Sequence, residues 1–151
     1  MDLRGKARPG RAAGIAFLAV LILPATGFLA SALHFPPGGR RVLLSFFIAS
    51  VVALLVGLRA WPALGRVLLA YGLAARIPVA LVMLVAIFAD WGTHYEKGPP
   101  HFPEMGALAK WFWIGLLPQM TLWIAFTVLV GTLVGCLAAL AARWRGKPAT
   151  A

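Results

Sequence analysis

Four apolar runs divide this chain, and what lies between them is too short to build anything else. They cover 12–33, 42–58, 67–89 and 111–142. A helix rises ~1.5 Å per residue, so about 20 residues cross the ~30 Å hydrocarbon core of a bilayer. The second run sits at the short end of that range and the fourth exceeds it. Membrane barrel strands would alternate polar and apolar residues in segments of ~10. These runs are continuous, so the expected elements are helices. The longest polar gap, 90–110, holds roughly 20 residues, well below the ~50 of an independent domain. Apolar residues make up 62% of the chain and charged ones 12%, against about 25% charged in a soluble domain. The expected fold is therefore all-α: one domain over 1–151, an integral membrane bundle of four transmembrane helices with an aromatic-rich outer loop or cap.

The net charge of +10 does not indicate nucleic acid, because the basic residues are scattered, mostly at span ends, and are not gathered into one patch. Their distribution reads instead as orientation. Arg4, Lys6, Arg8, Arg11, Arg59, Arg66, Arg143, Arg145 and Lys147 would lie on one face, and Arg40, Arg41, Lys97 and Lys110 on the other. Nine against four places both termini in the cytoplasm. Asp90, Glu96, Glu104 and all three histidines then fall outside. Arginine outnumbers lysine ten to four and asparagine is absent, a bias that suggests a GC-rich bacterial genome and hence the inner membrane. Cys136 is the only cysteine, which excludes an intrachain disulfide and Cys-x-x-Cys chemistry. An alternative for the first run is a secretory signal cleaved after Ala30-Ser31-Ala32. Its apolar stretch is longer than the 7–15 residues usual for a signal core.

Helices in lipid associate through small residues that allow close backbone approach. Ser45, Ala49, Ala53 and Gly57 form such a stripe on the second span, and Thr127, Gly131, Gly135 and Ala139 form one on the fourth. They can face each other, or either can face another copy or another subunit. Pro118 is expected to interrupt the fourth run, leaving an interfacial segment before a crossing that begins near Gln119.

Arg76 is the sharpest anomaly. It lies ten residues beyond Arg66, ~15 Å deeper on a continuous helix. An unpaired charge there costs at least ~2.5–3.5 kcal/mol, and no span contains an acidic partner. Carbonyls freed by Pro24 or Pro78, the Thr26 hydroxyl, or an anionic ligand would offset that cost. The competing arrangement makes 59–75 an interfacial helix from which Arg76 snorkels to the surface.

The second polar loop holds the remaining chemistry. His94 and Glu96, with His34 or His101, would supply three ligands to a divalent metal, although their spacing matches no established ligand motif. His34 and His94, at the outer ends of two spans, would also suit haem. Asp90 closes the third span, either as a proton-transfer or ligand-binding carboxylate or as a simple stop. No catalytic dyad, paired carboxylates or phosphate-cradling glycine loop occurs, so nothing indicates an enzyme or names a cofactor. The leading expectation is a non-enzymatic inner-membrane protein that binds lipid, a second copy or a complex partner. Next stands a small transporter or anion-binding protein using Arg76, then an outer-face metal or haem protein.

Overall fold

The computed structural model describes residues 8–145. Among them all regular elements are helical, and four helices are long and apolar enough to cross a membrane. They are α1 (Pro9–Ala32), α2 (Arg40–Ala60), α3 (Pro62–Ala89) and α4 (Ala107–Trp144). Arg4, Lys6 and Lys147 lie outside the described residues. The helices begin earlier than the apolar runs because hydropathy marks where side chains meet lipid, while helix ends are set by backbone geometry. Pro9 and Pro62 occupy first-turn positions, where a helix has no use for the missing N–H. Trp61 alone links α2 to α3, and its non-helical backbone (φ −147°, ψ 85°) breaks the helix between them.

α1 packs on α2 and α4, and α3 packs on α4 and less extensively on α2, so α4 touches every other helix. The bundle is built inside out relative to a soluble one. Its centre consists of Ala16 and Ala19 of α1, Ala53 of α2 and Leu129 of α4. Phe17, Phe28, Ile48, Phe88 and Leu137 point outward. Small residues inside bring backbones close, and large apolar ones outside suit lipid.

Both small-residue stripes are used within the chain, but they do not meet. On α2, Ala49, Ala53 and Gly57 are buried, whereas Ser45 is exposed and donates to the Arg41 carbonyl at 2.8 Å. A Cβ on Gly57 would lie 2.8 Å from Leu129 Cδ2. The α4 stripe turns instead to α3. Cβ atoms on Gly131 and Gly135 would lie 2.5 Å from Leu68 and 2.6 Å from Leu64. The Thr127 methyl sits 3.7 Å from the Cβ position of Gly72, and Ala139 is half-buried at the end of the row. Two leucines one turn apart on α3 thus fill the Gly-x-x-x-Gly notch of α4.

α4 corrects the expectation of a break at Pro118. The helix is continuous, and the proline is accommodated by π-helical turns at Trp111–Leu116 and Gln119–Trp123. A proline ring crowds the carbonyl four residues back. Widening the turn relieves that crowding, and the Leu117 N–H reaches the Phe112 carbonyl instead. The Thr121 hydroxyl then donates to the Leu117 carbonyl at 2.7 Å. Because the helix starts at Ala107, the loop spans 90–106 rather than 90–110.

Candidate functional site: a groove around Arg76

The α3–α4 seam follows one antiparallel register. Leu64 meets Gly135, Leu68 meets Gly131, and Gly72 meets Thr127. One turn further along α3 comes Arg76, and one turn back along α4 comes Trp123. The Arg76 Cζ lies 4.8 Å from the Trp123 ring centroid. Here the row of leucines in glycine notches ends: a guanidinium on an indole takes the next position, and the π turns of α4 begin. Beyond this point the seam opens into a groove of about 470 Å³. One wall is Arg76, Val79 and Met83 of α3, and the other is Ile114, Pro118, Gln119 and Trp123 of α4. His94, Tyr95 and Lys97 of the 90–106 loop close its end. The Trp111 indole donates to the Ala80 carbonyl at 2.8 Å and ties α4 to α3 beside the groove. π turns recur at functional sites, and these two contribute Ile114, Gln119 and Trp123 to the groove wall.

The groove contains two cations, Arg76 and Lys97, and no carboxylate among its lining residues. Two of its buried polar atoms have no hydrogen-bond partner in the protein: Arg76 Nε and Gln119 Oε1. Gln119 is only 8% exposed, and its amide nitrogen faces the Met83 thioether at 3.8 Å. The other buried orphans among the described residues, Trp61 Nε1 and Thr132 Oγ1, lie outside this groove. The Thr26 hydroxyl considered for Arg76 donates to the Ile22 carbonyl of its own helix at 2.8 Å. Nor is there a separate interfacial helix over 59–75, because α3 runs unbroken from Pro62 through Arg76 to Ala89.

The other chemistry-bearing residues shape the loops. Asp90 and His34 both adopt left-handed backbone, at φ 50° and φ 56°. At the end of α1 the His34 N–H donates to the Ser31 carbonyl and the Phe35 N–H to Ala30, a glycine-type helix stop formed here by histidine. Asp90 ends α3 in the same way, with its own N–H and that of Trp91 directed to the Ala86 carbonyl. Glu96 closes a capping box with Thr93. Its carboxylate accepts from the N–H groups of Gly92 and Thr93, each at 3.2 Å, and from the Thr93 hydroxyl at 3.3 Å. Desolvation pushes the Glu96 carboxyl up, but these donors together hold it below its ordinary value of 4.5.

The candidate metal ligands are dispersed. His34 lines one cavity with Phe35 and Pro36, His101 another with Glu104 and Lys110, and His94 the Arg76 groove. Among the described residues no three His, Cys, Asp or Glu side chains are grouped to hold a metal ion. Gln119 and Trp123 escaped the sequence reading because one amide and one tryptophan in an apolar run carry no periodic signal. The lone amide within a span was the available clue. Gly38 escaped it as well. At φ 78° a Cβ there would collide with the Pro100 carbonyl oxygen, so the 33–39 loop locks against the 90–106 loop.

No protein-family model, curated protein or solved structure matches this chain.

Proposed function

We propose that this chain is a non-enzymatic membrane protein that binds an anionic ligand in the Arg76 groove. The observation that carries the reading is a permanently cationic side chain midway along a membrane-length helix, lined by no carboxylate and left with an unpartnered Nε–H. Guanidinium Nε and Nη donors form a fork suited to a carboxylate or phosphate. Lys97 at the loop end adds a second charge on the ligand's path, and Trp123 supplies a flat apolar wall. Docking of a partner through the small-residue stripes is less favoured, because Leu64, Leu68 and Leu129 already occupy them.

The same proposal places the protein in a bacterial inner membrane with both termini cytoplasmic. The end of the groove that the 90–106 loop lines then faces the outer side. The excess of basic residues at the termini and around Trp61 supports that orientation.

The test is binding of anionic and zwitterionic lipids and of small phosphates to the purified chain in detergent, with Arg76→Gln. Removing one partner of a buried charged contact costs ~2–5 kcal/mol, so affinity for the anion should fall at least about 30-fold while the expressed, folded protein persists. Unchanged affinity in Arg76→Gln would overturn the reading.

A further inference from the structure

We infer that the ligand of this groove carries a hydrogen-bond donor, a hydroxyl or an ammonium, in addition to its anionic group. This rests on the anion-binding reading and narrows the ligand class. Its ground is Gln119. The Met83 thioether has no proton to donate, so the Gln119 amide turns its NH₂ toward the sulfur and leaves Oε1 as a buried acceptor without a donor. A bare anion drawn in by Arg76 would set negative charge beside that carbonyl dipole and leave it unpaired. A ligand with both groups satisfies the two orphans at once, its anion taking Arg76 and its donor taking Gln119. Both atoms are buried, so reaching them requires the half-buried Arg76 side chain to rotate on Trp123 and the Gln119 amide to shift toward the groove, and the two new bonds offset the weakened stacking on the indole. Donor and acceptor lie on facing helices, so the ligand also bridges α3 and α4 where their leucine–glycine packing ends.

This chemistry occurs in phospholipid headgroups with a glycerol or ethanolamine end and in soluble hydroxy- or amino-acids and phosphate monoesters of polyols. The experiment compares matched pairs on the full chain in detergent. Phosphatidylglycerol is set against phosphatidylmethanol, which has the same phosphodiester and tails but no hydroxyl. Glycerol 3-phosphate is set against methyl phosphate. A hydrogen bond to a buried acceptor is worth about a fivefold to tenfold preference for the donor-bearing member. Gln119→Leu should abolish that preference by weakening the donor-bearing member, and, because it removes the carbonyl dipole beside the anion, it should not weaken the donor-free one. A preference confined to the lipid pair makes the ligand a headgroup, and one confined to the soluble pair makes it a solute; both support the inference. Equal affinity within both pairs for the unmutated chain overturns it but leaves anion binding standing. A preference that survives Gln119→Leu also overturns it. No binding of any of the four overturns the anion-binding reading itself.

Discussion

His34 holds a left-handed backbone (φ 56°) at the end of α1, a conformation that costs an L-residue about 1–2 kcal/mol. Its exposed ring is not needed for the helix stop, since the bonds that form the stop are all backbone. His34→Gly should therefore raise stability by about 1 kcal/mol, with part of the relieved strain offset by glycine's greater freedom in the unfolded chain. Thermal unfolding in detergent measures this, and a lower midpoint would show that the imidazole itself contributes. Glu96 makes the opposite kind of contribution. Its carboxyl is held below 4.5, so its stabilisation of the loop is fully present above that pH and is lost as pH falls through the lower folded value. Hydrogen exchange at the Gly92 and Thr93 amides, corrected for intrinsic rates, should report protection that is flat above about pH 5 and drops in the acid limb. Glu96→Gln should remove that acid limb.

At the scale of elements, the α3–α4 seam decides where the groove lies. Leu64 and Leu68 enter the notches of Gly135 and Gly131, and the row ends at Arg76 on Trp123. Gly131→Ala sets a methyl against both Leu68 terminal carbons and should destabilise by about 1–3 kcal/mol through overpacking. Leu68→Ala alone leaves a cavity. Combined, the two changes should be less harmful than their separate effects imply, with a coupling of about 1 kcal/mol in a double-mutant cycle. Strict additivity would mean that the leucine does not sit over the glycine. The π turns are the other determinant. Pro118→Ala restores an N–H and removes the reason for the widened turns, so α4 can tighten and shift Gln119 and Trp123 relative to Arg76. Anion affinity should drop about tenfold, a shift of about 1.4 kcal/mol, with the fold intact by circular dichroism. Unchanged affinity would show that the π turns do not position the site.

At the scale of the whole molecule, orientation is the property most directly open to test. With both termini in the cytoplasm, a cysteine placed at His101 should react with an impermeant maleimide added to intact cells, and one at Arg66 should not. The reverse pattern would invert the proposed topology and turn the groove to the other face.

Four spans were legible in the sequence, because runs of ~20 predominantly apolar residues are long enough to cross a bilayer as helices. The helical class followed from the absence of alternation, and Arg76 stood out because an unpaired charge in an apolar run is costly. The boundaries moved because proline at a first turn and a charge at a helix end leave hydropathy unaffected or lower it without ending the helix. Continuity through Pro118 was not legible, since π turns depend on what neighbouring helices allow. Nor was the pairing of the stripes: a four-residue spacing marks a face as packable without naming its partner, and α4 offers Gly131 to α3 and Leu129 to α2. Gln119 and Trp123 belong to the same class. Each is a single residue whose meaning arises only when Arg76, 43 or more positions earlier, is brought alongside. The sequence by itself determined the solvent this protein folds in, since transfer free energies add up along a local run. Only the tertiary structure decided which polar atoms share a groove, because that depends on helix register, and register is set by packing between segments remote in the chain.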